Sequence, residues 1–254
     1  MPTNEKIIAV WGSPHAGKTA FAVKFAENLY QRTRGAVVVL HCDLLTPTLP
    51  ILFPNAREQD LFSVGTVLAK PNIFRGDIVS NLVTVKERQN LGFLGYRTGE
   101  NRYSFPTFGR VKVAEFFAVL SDLADSIVVD CTSDPESNLL TAVSLQDAGT
   151  LIRVSSPDLS SLSFFQSQTG AGFGTPKERT VSILNVREPD TAPLASDFAS
   201  HLGAQVILPY SEALREQSLV GTLIQPTKDR RYLSGIAKVT EAVIRGKRRN
   251  CIRS

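Results

Sequence analysis

The sequence is poor in the residues that build covalent or metal-held scaffolds. Its three cysteines, Cys42, Cys131 and Cys251, lie far apart with no paired ligand spacing. That excludes a disulfide framework and a zinc module and fits a reducing compartment. No run of roughly 18 apolar residues occurs, so no segment reads as a membrane-spanning helix. The opening MPTNEKIIAV has no basic stretch ahead of a long apolar core, so it does not read as a secretory signal. A cytoplasmic protein is expected. Repeats and low-complexity linkers are also missing.

Acidic residues are absent from the last ten positions, RGKRRNCIRS, which carry Arg245, Lys247, Arg248, Arg249 and Arg253. The formal net charge is +4, so without those five the remainder is near neutral at −1. The basic character therefore belongs to the tail at 245–254. Two readings stand: a solvated terminus, or a weak electrostatic contact with anionic lipid or DNA. Beyond Val243 and Ile244 the tail offers only Cys251 and Ile252 as apolar groups, too few for lipid insertion.

What the chain does contain is a hydrophobic content of 43% against 20% charged residues over 254 positions, ordinary for a globular protein. That suits one large α/β domain spanning 1–254. Continuous β-branched runs read as buried strands at 6–11, 36–42, 126–131, 150–155, 180–186 and 205–210. Helical patterns fill 18–32, 112–124, 137–147, 158–168, 193–202, 211–219 and 231–245. In the first of these, Phe21, Ala22, Phe25 and Leu29 share one face, with the charged residues opposite. Strands without polar alternation, separated by helices, predict a doubly wound, mainly parallel sheet with helices on both faces. Residues 54–110, rich in Asn, Gly, Arg and Pro, read as a helical and loop excursion that returns one strand near LGFLGY.

Directly after the first strand stands GSPHAGKT, residues 12–19, which matches the phosphate-loop pattern G-x-x-x-x-G-K-[ST]. Glycines let the backbone curl so that successive N–H groups face phosphate oxygens, and the following helix adds its positive end. In this reading Gly12, Ser13, His15, Ala16, Gly17, Lys18, Thr19 and Ala20 form the nucleotide cradle. Lys18 reaches the β- and γ-phosphates, and Thr19 offers a hydroxyl to Mg²⁺. Pro14 stiffens the loop and removes one backbone donor. His15 reads either as a solvent-facing filler or as a nucleotide contact.

Phosphoryl transfer also needs a carboxylate that organises the metal. Asp43 and Asp130 each follow a strand, where a parallel sheet places catalytic groups. Asp130 is the expected Mg²⁺ ligand, and Asp43 is expected to share that role or polarise the attacking water. The plainer alternative for both is a helix cap after a strand.

Several segments together resemble the MinD/ParA group of P-loop ATPases. HCDLLTPTLP (41–50) resembles the acidic segment after that family's second strand, and SIVVDCTSD (126–134) its Walker B and switch segment. LIRVSSPDLSSLSFFQ (151–166), SILNVREP (182–189) and VILPYSEALREQSLVGTLI (206–224) resemble three later segments in the same order. The resemblance implies Mg-ATP or Mg-ADP binding, slow hydrolysis, a nucleotide-dependent homodimer, and adenine recognition by Asn185. It further implies a regulatory role with a protein partner in a membrane-associated or DNA-partition machine.

Two departures bear on catalysis. Ser13 stands where the family's loop carries a lysine directed at a partner subunit's phosphates, and Thr132-Ser133-Asp134 replaces the usual switch residues. TadZ/CpaE-like localisation proteins also carry atypical loops. Losing one such cationic contact costs roughly 10²-fold in rate. The alternatives are an interaction module with a vestigial nucleotide site and a kinase of the same superfamily. The kinase is the weaker one, because the last ten residues hold no tyrosine.

Overall fold

The β-branched runs form one eight-stranded sheet in the computed structural model, which describes residues 3–170 and 176–251. The strands are β1 (Asn4–Gly12), β2 (Val37–His41), β3 (Val83–Val85), β4 (Arg88–Leu94), β5 (Ser126–Asp130), β6 (Ala148–Ser155), β7 (Thr180–Asn185) and β8 (Val206–Leu208). Their order is β3-β4-β2-β5-β1-β6-β7-β8. Every pairing is parallel except β3 with β4. The expected doubly wound α/β architecture is therefore present.

Alternate residues of the central strands feed two cores. Ile7, Ala9 and Trp11 of β1 face α5 (Arg110–Leu123), α6 (Leu139–Asp147), α7 (Leu159–Gly170) and α8 (Ala195–Leu202). Ile8 and Val10 face α1 (Lys18–Thr33), α9 (Glu212–Leu219) and α10 (Arg230–Cys251). This period-2 division between two covered faces explains why the strands lack polar positions.

The connection from β1 leaves through α1 on one face, and that from the neighbouring β5 leaves through α6 on the other. Adjacent strands whose connections diverge open a crevice at their carboxyl ends, the usual ligand position in such sheets. Pairing brings Val10 opposite Asp130, His41 opposite Asp130 and Gly12 opposite Val154. The ends of β2, β5, β1 and β6 thus converge at the phosphate loop.

Three sequence expectations are corrected. The excursion returns β4 as expected but also β3, a three-residue antiparallel edge too short to show periodicity. Its helices are single turns, α3 (Val64–Leu68) and α4 (Arg75–Val79), and another single turn, α2 (Leu49–Leu52), precedes it. Second, charged residues of α1 do not all face solvent: Lys24 is 1% and Glu27 7% exposed. The cover there comes from residues 223–225, whose carbonyls Lys24 binds, and from Arg88, which pairs with Glu27. Third, α10 continues to Cys251 rather than ending at 245. Lys and Arg tolerate helix well, and cations favour a helix carboxyl end. Ile252 and Arg253 of the basic tail lie outside the described residues.

Candidate functional site

The turn from β1 into α1 requires glycine at two places. At Gly12 a Cβ would lie 1.8 Å from the Val154 carbonyl oxygen, because β6 passes directly beside it. Gly17 adopts φ +81°, left-handed geometry, and a Cβ there would come 2.5 Å from the Asn185 amide nitrogen. His15 also has positive φ, at 58°, so the loop curls twice before α1 begins. The first-turn amides of α1 have no intrahelical acceptor, and no acidic residue occupies that turn. The result is a cluster of free donors at a positive helix end, suited to an anion.

Lys18 folds back across this loop. Its Nζ donates to the Ser13 carbonyl at 2.9 Å and to Ser133 Oγ at 2.6 Å. Burial lowers its pKa from the ordinary lysine value, Arg187 lowers it further, and Asp130, Cys131 and Asp43 oppose the shift. Ser133 is held from a second side, since Trp11 Nε1 donates to its carbonyl at 3.0 Å. The segment after β5 is therefore tied to the loop lysine and to the only tryptophan of the chain.

Thr19 Oγ1 donates to Asp130 Oδ2 at 2.7 Å, bringing together the hydroxyl and carboxylate that the sequence put forward for Mg²⁺. Asp130 is 5% exposed, and the same Oδ2 receives His41 Nδ1 at 2.9 Å. With Asp130 as acceptor, Nδ1 carries the hydrogen and Nε2 is left as the acceptor nitrogen. His41 Nε2 is buried without a described partner, and the ring stacks on Phe93 with centroids 6.4 Å apart. No group of three or more His, Cys, Asp or Glu side chains is placed to hold a metal among the described residues. Mg²⁺ does not need one: it keeps several waters and takes one or two carboxylates plus phosphate oxygens. The hard oxygens of Thr19 and Asp130 fit that habit.

Asp43 behaves differently. Its Oδ1 accepts from the amides of Leu45 and Thr46 at 2.8 and 2.9 Å, so it caps the bend that follows β2 rather than the start of a helix. It nonetheless lines a cleft of about 300 Å³ with Gly17, Thr19, Ala20 and Thr46. Ser13 is turned away from any ligand. It is 1% exposed, with Oγ 2.6 Å from Ser161 Oγ on α7. His15 is exposed, and only its carbonyl has a role, accepting from Arg187.

A second cleft, of about 320 Å³, lies on the other side of Gly17 and Ala20 and includes Asn185, Tyr210 and Leu214. Asn185 Nδ2 donates to the Ala16 carbonyl at 2.9 Å, tying the end of β7 to the loop. Cys42 and Cys131 are buried nearby, and burial pushes both thiols up, so neither is a thiolate nucleophile. Sequence reasoning missed His41, Trp11 and Arg187, and named Ser133 only as a departure in the switch segment. Each acquires its role only through strand order, which no local pattern encodes.

The sheet order and the turn from β1 into α1 define a P-loop-type α/β fold. No protein-family model matches the chain, and no curated protein does. Solved structures do. A ParA family ATPase from Chlorobium tepidum TLS matches with a TM-score of 0.73 at 17% identity, over 93% of this chain and 98% of its own. The septum site-determining protein MinD of Pyrococcus horikoshii OT3, complexed with Mg-ADP, gives 0.70 at 16% identity over 93% and 95%. A putative plasmid partition protein from Borrelia burgdorferi B31, bound to AMPPNP, gives 0.66 at 16% identity over 98% and 100%. The chain has the ParA/MinD-like fold, as the sequence resemblance implied.

Proposed function

We propose that this protein is a regulatory ATPase that binds Mg-ATP or Mg-ADP, hydrolyses ATP slowly, and localises or assembles a larger machine. The observation that carries the reading is the contact of Thr19 with Asp130 directly beneath the donor-rich start of α1. Mg-ADP and AMPPNP bound to two proteins of the same fold support the ligand class.

In this reading the amides from Gly17 to Ala20 hold the phosphates, and Lys18 turns from Ser13 and Ser133 toward the β- and γ-oxygens. Thr19 and Asp130 hold Mg²⁺, which when bound neutralises charge developing on the phosphates. His41 fixes the rotamer of Asp130. Asn185 donates one amide hydrogen to the loop, and its Oδ1 accepts from a base, as adenine's amino group requires. Asp43 orients water from the rim of its cleft. Turnover is slow because the side chain at position 13 is buried against α7 and brings no positive charge.

The partner is a component of a membrane-associated or DNA-partition machine. Basic residues late in α10, among them Arg245 and Lys247, supply a weak contact with anionic lipid or DNA. No helix among the described residues is long and apolar enough to cross a membrane, so any membrane role is peripheral. Light scattering in the apo, ADP and AMPPNP states tests the regulatory part. A mass that doubles only with AMPPNP is expected, whereas one mass in all three states would remove the nucleotide switch from the proposal.

A further inference from the structure

Two residues beyond Asn185, Arg187 lies along the phosphate loop. Its Nη1 donates to the His15 carbonyl, and its stem follows Gly17, where a Cβ would come 3.5 Å from Cδ and 3.8 Å from Nε. It is exposed, and it lines both clefts that meet at Gly17 and Ala20. None of the described salt bridges includes it. Arg215, the other arginine of the larger cleft, has the carboxylates of Glu188 and Glu212 as electrostatic partners. Arg187 is thus a cation at the junction of two clefts whose described hydrogen-bond acceptor is a neutral carbonyl.

Like charges across a loop are unfavourable, and Arg187 disfavours the charged form of Lys18. An anion placed between them relieves both. A guanidinium offers five donors in a planar fork that matches phosphate oxygens, and its bonds to an anion are roughly twice as strong as neutral ones. We infer that Arg187 is a phosphate-binding arginine acting in cis: on nucleotide entry its guanidinium exchanges the His15 carbonyl for polyphosphate oxygens and closes the junction between the clefts. This rests on the nucleotide-binding reading above. It adds a cation supplied from the end of β7 to a loop whose own position 13 supplies none.

The alternative is that Arg187 only braces the loop through His15. Calorimetric titration of the full chain with Mg-ATP and Mg-ADP at several KCl concentrations separates the two. Arg187→Gln keeps a neutral donor for the carbonyl, whereas Arg187→Lys keeps the charge. Arg187→Gln should weaken Mg-ATP binding roughly 10- to 100-fold and flatten its dependence on salt. Arg187→Lys should recover part of the affinity and all of the salt dependence. Because the side chain is exposed, thermal melting should be unchanged in both. Wild-type affinity in Arg187→Gln, or a loss with unaltered salt dependence, overturns the assignment while leaving nucleotide binding intact. A wild-type chain that binds neither nucleotide overturns both.

Discussion

Helix α1 holds two lysines six residues apart, Lys18 half-buried and Lys24 buried, and their surroundings differ in kind. Lys18 lies against the Ser13 carbonyl and the Ser133 hydroxyl, near the Asp130 carboxylate, next in sequence to Gly17 and Thr19 of the clefts. Lys24 is sealed under residues 223–225, donating to the carbonyls of Leu223, at 2.7 Å, and Gln225. Arg88 completes that cover, reaching Ile224 O at 2.6 Å and Glu27 at 2.8 Å. Burial lowers the pKa of both lysines. A depressed lysine is therefore no mark of a ligand site by itself. What separates them is the alternative partner: in the proposed function Lys18 exchanges its contacts for an incoming anion, whereas Lys24 cannot move without orphaning the buried Leu223 carbonyl.

The sharpest way to break this comparison is to remove each amine. Lys18→Ala should cost roughly 10²-fold or more in Mg-ATP affinity by calorimetry, since a charge-assisted phosphate contact is lost, yet leave the melting temperature unchanged or higher. Lys24→Met should do the opposite. It leaves the buried Leu223 carbonyl without its described partner, about 1–3 kcal/mol of stability by urea unfolding, with nucleotide affinity within threefold, about 0.7 kcal/mol.

Lys24 also gives a pH signature. Its folded pKa is pushed down to about 8. Between that value and the ordinary lysine value the unfolded chain binds more protons, so wild-type stability should rise with pH in that window. Lys24→Met should lack that rise. Equal pH slopes in urea unfolding would show that the folded amine stays charged throughout.

Smaller effects sharpen the Lys18 side. His41→Gln removes the support of the Asp130 carboxylate and should weaken Mg²⁺ dependence about tenfold, as loss of an outer partner of a metal ligand does, read from ADP binding with and without Mg²⁺. Ser13→Ala should be the mildest. It deletes one buried hydroxyl contact to Ser161, about 1 kcal/mol of stability, and leaves nucleotide affinity unchanged.

The centre of the fold was legible because buried parallel strands leave a pattern: β1, β2, β5, β6 and β7 are continuous apolar runs. The phosphate loop was legible because its chemistry is local, with Gly12, Gly17, Lys18 and Thr19 fixed by spacing alone. The edge was not. β3 is three residues long, and the single turns of α2 to α4 are stabilised by packing rather than periodicity. Nor were the supports of the site. His41 meets Asp130 because β2 pairs with β5, 89 residues apart in sequence, and Arg187 reaches His15 across 172. Lys24 looked like a solvated charge because nothing in α1 shows that residues 223–225 cover it.

The central claim is that Gly12 to Thr19, with Asp130, forms a working Mg-nucleotide site. Calorimetric titration of the full chain with Mg-ADP tests it most directly, with the same titration in EDTA as its partner. One bound nucleotide per chain, with affinity falling when Mg²⁺ is removed, is the predicted result. No heat of binding with either Mg-ADP or Mg-ATP would contradict it.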